Sequence, residues 1–263
     1  MLVLAVKLAG YYRSPIVCHT AVCHAIGCLI RFMDYSGQHY MFTRKTFRFL
    51  SEIKTNNNRD WFEVNKTRYE EDVREPALAY IEAMAPHLAK LSNSFVASPK
   101  KVGGSLMRIY RDVRFGKDKT PYKTNIGIQF RHVAGKDVHA PGFYMHIESG
   151  NVFMGAGIWR PDTPTVANVR LNMDENQSEW KKIVQKLEKK DFSLQGDSLK
   201  KAPRGFDPQH PLLKDLKRKD FIAVRDLKSS FVTDKDFVKQ SAALFSTTVP
   251  LVRFICEAND LEF

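Results

Sequence analysis

Residues 125–158 read NIGIQFRHVAGKDVHAPGFYMHIESGNVFMGAGI, and this stretch decides the fold. Apolar residues alternate with polar or small ones in three runs, at 125–130, 143–147 and 152–158. A period of two that is bounded by glycine and proline is typical of β-strands. Upstream, residues 106–113 alternate in the same way and predict a fourth strand. Four strands in succession without helices between them favour an antiparallel sheet over a parallel Rossmann arrangement.

Helical periodicity precedes the predicted sheet. Apolar residues recur at three-to-four spacing from Thr43 up to the asparagine run 56–58, which predicts a helix that ends at this run. Asn58 or Asp60 can then cap a second helix. Further along, Pro76 and Pro86 would each break or kink a helix, so residues 77–91 are predicted as separate helical pieces.

Helices return after the predicted sheet. Residues 163–173 and 178–189 are amphipathic at helical spacing, 221–227 are predicted as a last strand, and Asp234 or Asp236 begins a closing helix. The predicted fold class is therefore α+β. It has a central antiparallel sheet, a helical N-terminal part, and helices packed against the sheet.

Residues 1–40 differ in composition from the rest of the chain. They contain one acidic residue and three basic ones, and no periodic apolar face persists through them. A secretory signal is a poor match because no small-residue cleavage site follows the weakly apolar run 16–30, whereas an organelle transit peptide stays open. We expect Met41 to be the true start, 1–40 to be a leader or a disordered extension, and 41–263 to form a single α+β domain.

The cysteines bear on compartment and metal binding. Three of the four lie within the first thirty residues, so the main body has only Cys256. One cysteine gives no disulfide framework, which is typical of a reducing compartment, and we expect a cytoplasmic protein. The spacing in Cys18-His19-x3-Cys23-His24-x3-Cys28 is unlike a zinc knuckle, so we assign no metal, and the sequence names no cofactor. No membrane association is expected, since no stretch reaches roughly 18 apolar residues.

Positive charge is concentrated in one segment. The chain has 41 Lys and Arg residues against 29 Asp and Glu, a net charge of +12. Residues 100–136 hold ten of the basic residues and only two acids, Asp112 and Asp118. A basic focus of this kind attracts phosphates, nucleic acid or acidic partners, although a solvated basic face without a ligand has the same composition.

The most informative stretch is RIYRDVRFGKDKTPYK, residues 108–123. If it continues a strand into a loop, its even-numbered residues share one face, which places Asp112 between the guanidinium groups of Arg108 and Arg114. Asp118 then lies beside two lysines. Such carboxylates can orient Arg and Lys groups that grip a phosphate or carboxylate. Alternatively, Asp112 and Asp118 with Glu148 hold a divalent metal, or the charges only form a structural salt-bridge lattice.

The pattern R-x-x-R-D-x-R-F-x-x-D-K-x-x-Y at 108–122 resembles the signature of a conserved-hypothetical family, a domain of unknown function found mainly in bacteria with some fungal members. The phrase NNRDWFEVNKTRY at 57–69 resembles the other hallmark of that family. Segments 142–148, 155–161 and 221–227 are similar to its sheet segments. The resemblance covers residues 41–263, and it implies no activity, cofactor or catalytic residue.

Three hypotheses for function stay open. The stretch 108–123 is a binding surface for nucleic acid or an acidic, phosphate-bearing ligand, part of an enzyme acting on a phosphate-bearing substrate, or a purely structural salt-bridge motif. Neither a G-x-G-x-x-G nor a P-loop stands at a strand-to-helix junction, so nucleotide binding by those devices is not supported. We assign no catalytic residue. The candidate ligand-binding residues are Arg108, Arg111, Asp112, Arg114, Asp118, Lys119, Tyr122, Lys123, Asn125 and His146.

Two features of the predicted strands bear on the site. His146 and Glu148 alternate with apolar residues, so they share the face opposite the core and are predicted as solvated strand positions. Gly155 and Gly157 lie in a strand, where glycine lets a backbone or a ligand approach closely, and the packing explanation is favoured.

Overall fold

The computed structural model describes residues 41–135 and 139–263, and the predictions made for residues 1–40 lie outside this part of the chain. Within it, five strands form one antiparallel sheet in the order β1-β2-β3-β5-β4, which confirms the predicted α+β class. The short edge strand β4 has no signal in the sequence analysis. The strands are β1 (Asn125–Arg131), β2 (Gly142–Glu148), β3 (Asn151–Ile158), β4 (Ser193–Gln195) and β5 (Phe221–Leu227).

The register of the sheet follows the alternation in the sequence. Ile128 pairs with Met145, and Met145 pairs with Met154, so fully buried side chains line up across β1, β2 and β3. A shift of one residue would move this whole apolar set to the other face, so the buried face fixes the register. The opposite face carries residues such as Tyr144, His146 and Gly155.

Helices flank the sheet in chain order. They are α1 (Arg44–Thr55), α2 (Arg59–Val64), α3 (Lys66–Tyr69), a π-helical segment (Glu70–Arg74), α4 (Glu75–Leu91), α5 (Thr163–Glu175), α6 (Gln177–Glu188), α7 (Leu213–Leu216), α8 (Ser229–Val232) and α9 (Phe237–Glu257). The Thr43 and Thr46 side chains form a capping box at α1. The Asn58 side chain accepts from the Trp61 N–H, so Asn58, one of the two predicted caps, caps α2.

One face of the sheet is covered by helices. α9 packs on β3 and on α4, while α4 contacts β1 and α1 contacts β2. Large aromatic side chains fill the space between them, including Tyr80 stacked on Phe237 at 4.6 Å between ring centroids. The core therefore lies between these helices and the sheet. The opposite face of the sheet carries Tyr144, His146 and Gly155.

The prediction that prolines divide residues 77–91 is wrong, because α4 runs unbroken from Glu75 to Leu91. Pro76 lies in the N-terminal turn, where the missing N–H has no helical partner to lose. Pro86 is inside the helix and has no N–H to donate to the Glu82 carbonyl. Both residues are exposed. Water can therefore replace the lost hydrogen bond.

The prediction of a strand at 106–113 is also wrong. Leu106 bridges to Ile128 of β1, whereas Tyr110 bridges to Tyr122, and no continuous ladder forms between them. The segment changes its pairing partner between Met107, whose N–H donates to the Gly127 carbonyl, and Ile109, whose carbonyl accepts from the Lys123 N–H. A ladder needs one partner throughout. In the described residues, no helix is long and apolar enough to cross a membrane.

Candidate functional site

Residues 108–123, the basic loop, are fastened to the core at their base. The Arg111 N–H donates to the Pro121 carbonyl (2.9 Å), and the Lys123 N–H donates to the Ile109 carbonyl (2.7 Å). The ring of Tyr122 is 3 % exposed and stacks on Phe62, with 4.2 Å between centroids. Tyr122 therefore packs with the core, and its ring anchors the loop.

The Asn57 side chain completes this anchor. Its Oδ1 accepts from the Tyr122 N–H at 3.0 Å, and its Nδ2 donates to the Tyr122 carbonyl at 2.9 Å. The Asn57 amide thus satisfies both the N–H and the carbonyl of the buried Tyr122. The two residues are far apart in the sequence, so no local pattern predicts this contact. Asn57 belongs to the second resemblance motif, so the two motifs meet here.

Both acids of the loop form ion pairs within it. Asp112 receives hydrogen bonds from Arg114, with Nη2 at 2.7 Å and Nε at 3.0 Å. Arg111 pairs with Asp118 and also contacts the Thr120 hydroxyl. The Arg114 hydrogen bonds lower the pKa of Asp112 to about 2. Hydrogen bonds from Thr120 and then Arg111 lower the pKa of Asp118 to about 2. Both carboxylates are therefore ionised at neutral pH.

This pairing differs in part from the strand-based prediction. Asp112 contacts Arg114 across a turn, because the Arg114 backbone N–H also donates to Asp112 Oδ1 at 3.2 Å. Arg108 acts on Asp112 only through its charge, as a contribution that lowers the pKa of Asp112. Lys119 donates to the Val113 carbonyl at 2.8 Å and does not pair with Asp118.

The exposed surface of the loop combines cations with aromatic rings. Arg108, Lys117 and Lys119 are exposed, and they carry positive charge that the two acids of the loop do not neutralise. Phe115 is 92 % exposed and Tyr110 is 52 % exposed. The Arg114 guanidinium lies 5.5 Å from the Phe115 ring centroid. Sequence reasoning left these two aromatic residues out of the candidate site, although both stand inside the motif.

Lys123 is half-buried beside this surface. Burial is the larger cause that lowers the pKa of its ammonium group, and the charge of Arg108 lowers the pKa further. The two cations therefore lie close enough to repel each other. An anion that bound between them would relieve that repulsion.

Asn125 and His146, the remaining predicted residues, meet in a polar cluster on the sheet. Nδ1 of His146 lies 3.4 Å from Asn125 Nδ2 and 3.2 Å from Tyr144 Oη. His146 Nε2 is buried without a hydrogen bond of ordinary geometry, and Glu148 Oε2 lies 3.5 Å from it. Glu148 also accepts from the Thr124 hydroxyl at 2.7 Å.

His146 and Glu148 share the face opposite the core, as predicted, but they are not solvated positions. Their side chains are 13 % and 18 % exposed. Burial lowers the pKa of His146, although the Glu148 carboxylate opposes this shift. Burial also raises the pKa of Tyr144 to about 12, so its hydroxyl keeps its proton at neutral pH.

The carboxylates do not gather as the metal hypothesis requires. Asp112 and Asp118 pair with different arginines, and Glu148 belongs to the cluster around His146. Across residues 41–135 and 139–263, no group of three or more His, Cys, Asp or Glu side chains is arranged to hold a metal ion.

A cleft beside the polar cluster escaped the sequence analysis. This sheet-face cleft has a volume of about 430 Å³. The only signal for it was the pair Gly155 and Gly157. At Gly157 the packing explanation is correct, because the Phe221 carbonyl occupies the place of a Cβ atom, whereas a Cβ atom at Gly155 would make only ordinary van der Waals contacts. The residues that line the cleft include Met107, Tyr144, Phe153, Gly155, Trp159 and Val224.

The family profile of the conserved hypothetical proteins DUF2461 matches residues 45–254. The chain belongs to this family. The matched region contains the basic loop, the whole sheet and the polar cluster, so the resemblance seen in the sequence is confirmed. A search of curated proteins finds no match to the chain.

Proposed function

We propose that this DUF2461 member binds single-stranded nucleic acid through the basic loop. The observation that carries the proposal is the exposure of Phe115 and Tyr110 among cations that the loop's own acids do not neutralise. Single-strand binders combine a positive groove that follows the phosphates with aromatic rings on which bases stack. The loop supplies both elements within sixteen residues.

The charge of the loop favours an anionic partner. Six basic residues stand against two acids, and each acid is already paired with an arginine. The remaining cations, Arg108, Lys117, Lys119 and Lys123, are available for phosphates. Counterion release from a nucleic acid would make such binding strongly salt-dependent.

The aromatic residues favour a single strand over a duplex or a free phosphate. The Phe115 ring is almost fully exposed, with a guanidinium beside it, so one of its faces can receive a base. A duplex keeps its bases stacked on each other and offers them to no such ring. Single-stranded RNA is present in the cytoplasm, the compartment that the cysteine pattern predicts.

The anchored base of the loop explains how the surface keeps its shape. Tyr122 and Asn57 hold one end of the loop to the core, and the backbone hydrogen bonds of Arg111 and Lys123 tie the other end to it. The tip from Arg114 to Lys119 stays in solvent. A surface positioned by a rigid base loses less conformational entropy when it binds. In this proposal Tyr122 and Asn57 hold the loop in place, and the exposed residues of its tip contact the nucleic acid.

The test is fluorescence anisotropy of the full chain with labelled single-stranded RNA, single-stranded DNA and duplex DNA across a salt series. Phe115→Ala should weaken single-strand binding by about 1–3 kcal/mol, roughly 5- to 150-fold, with little change in the salt slope. Lys117→Ala/Lys119→Ala should lower the slope of log K against log salt by about 1.4, since each phosphate contact contributes about 0.7.

The matched control is Lys181→Ala/Lys182→Ala, which removes the same charge from the exposed face of α6. It should leave the slope nearly unchanged. Equal effects of the two lysine pairs would show that only net charge matters and would reject a site on the loop. Absence of binding at low salt would reject the nucleic-acid proposal altogether. Parallel titrations with Mg²⁺ and Mn²⁺ would show whether cleavage assays are warranted.

A further inference from the structure

Two glycines on the face of the sheet opposite the core, Gly127 and Gly155, differ in what surrounds them. At Gly127 a Cβ atom would lie 2.9 Å from Tyr144 Oη and 3.0 Å from Met107 Sδ, so these two side chains fill that place. At Gly155 a Cβ atom would meet nothing closer than the Ala223 carbonyl at 3.8 Å. Gly155 therefore forms an open floor, and Tyr144 forms one wall.

The described residues that line the cleft are uncharged. Among the described residues around it, apolar and aromatic side chains predominate, such as Met107, Phe153, Trp159 and Val224, and none carries a formal charge. A charged ligand would lose its hydration there without gaining an ion pair. The volume of about 430 Å³ falls within the range of small-molecule sites, roughly 300–1,000 Å³.

The shape of the lining suits a flat ring. The floor at Gly155 presents peptide backbone without a side chain, and Phe153 is held parallel to His146, at 4.5 Å between centroids and 11° between planes. Trp159 is 43 % exposed at the cleft. Aromatic walls and a bare backbone floor favour contact with a planar ligand.

The polar cluster orients the Tyr144 hydroxyl. His146 Nε2 faces the Glu148 carboxylate, so the ring proton belongs on Nε2, and Nδ1 is the acceptor toward Tyr144 and Asn125. Tyr144 then donates its only proton to His146 Nδ1. Its oxygen keeps lone pairs that can accept from a ligand.

We infer that the sheet-face cleft binds a small, uncharged aromatic molecule whose hydroxyl or N–H donates to Tyr144 Oη. The site is separate from the basic loop, and its ligand differs in charge from a nucleic acid. Phenol represents this class, whereas benzene lacks the donor and benzoate carries a charge.

The experiment is an NMR titration of the full chain with phenol, benzene and benzoate at millimolar concentrations. Phenol should bind roughly 2- to 10-fold more tightly than benzene, as expected for one hydrogen bond, and benzoate should bind least. Tyr144→Phe keeps the ring and should abolish the preference for phenol. Gly155→Leu fills the floor and should abolish binding of both neutral probes.

Ser246→Leu is the matched control, because it adds a comparable side chain at an exposed position of α9 and should bind phenol like the parent. Lys117→Ala/Lys119→Ala should also bind phenol normally, which separates this site from the basic loop. No binding of phenol, unchanged binding in Gly155→Leu, or tighter binding of benzoate would overturn the inference. Should Gly155→Leu fail to fold, a phenol preference that persists in Tyr144→Phe would overturn it equally.

Discussion

The basic loop and the sheet-face cleft use polar groups in opposite ways. In the loop, hydrogen bonds from Thr120 and the arginines lower the pKa of Asp112 and Asp118, so both exposed carboxylates stay charged. In the polar cluster beside the cleft, burial lowers the pKa of His146, which favours the neutral form of its imidazole. This difference is the physical basis of the two proposals, salt-sensitive contacts with anions at the loop and a neutral ligand in the cleft.

The same contrast predicts which substitutions lower the free energy of unfolding. Exposed ion pairs contribute little to folding, while packed backbone and buried polar groups contribute much. Substitutions around the cleft and at the base of the loop should therefore destabilise the protein, and substitutions at the tip should not.

The largest effect is expected at Gly157, beside the cleft. Its φ of +125° is unfavourable for other residues, and a Cβ atom would overlap the Phe221 carbonyl oxygen. Gly157→Ala should lower the free energy of unfolding by about 3 kcal/mol or more, measured by urea denaturation. Gly155→Ala is the control and should be neutral or slightly stabilising, since its Cβ atom fits. Equal stability of the two variants would contradict the distinction between these glycines.

The next effect is expected at the base of the loop. Asn57→Ala leaves the N–H and carbonyl of buried Tyr122 without their partners, and should cost about 1–3 kcal/mol in urea denaturation. Asn57→Asp keeps the acceptor and loses the donor, so its stability should fall between those of the parent and Asn57→Ala. Limited proteolysis should cut the loop faster in the less stable variant. A neutral Asn57→Ala would show that the loop is held by Tyr122 stacking alone.

A smaller effect is expected from His146 as the pH falls. The pKa of His146 in the folded protein lies below that of the unfolded chain, about 6.5, so the unfolded state binds the proton first. Stability should therefore be fully present above about pH 6.5 and decline as the pH falls toward the folded pKa. Urea midpoints at pH 7.5 and 5.5 should differ less in His146→Gln than in the parent. His87→Gln, a change on α4, should not reduce the pH dependence in this way.

The smallest effect is expected at the tip of the loop. Arg114→Ala removes an exposed partner of Asp112 and should leave the melting temperature measurably unchanged, because surface pairs of this kind are screened by water. The same variant should weaken single-strand binding and its salt dependence. A large drop in melting temperature without a change in binding would support the structural salt-bridge hypothesis for the motif.

Local sequence patterns predicted much of the fold, and a smaller part of the site. The alternation in β1, β2 and β3 indicates which residues face the core, and the asparagine at position 58 caps α2 as expected. These features depend on neighbours within a few residues, so periodicity reveals them. The charge excess of the loop is likewise a property of composition.

Tertiary structure alone decided the rest. Phe115 and Tyr122 are both aromatic residues of one loop, yet the first is exposed and the second is buried against Phe62, about sixty residues away in the chain. The cleft depends on Gly155 meeting Tyr144 across two strands. Which side chains meet at a distance is fixed by packing of the whole core, whereas local spacing fixes only the direction in which each side chain points.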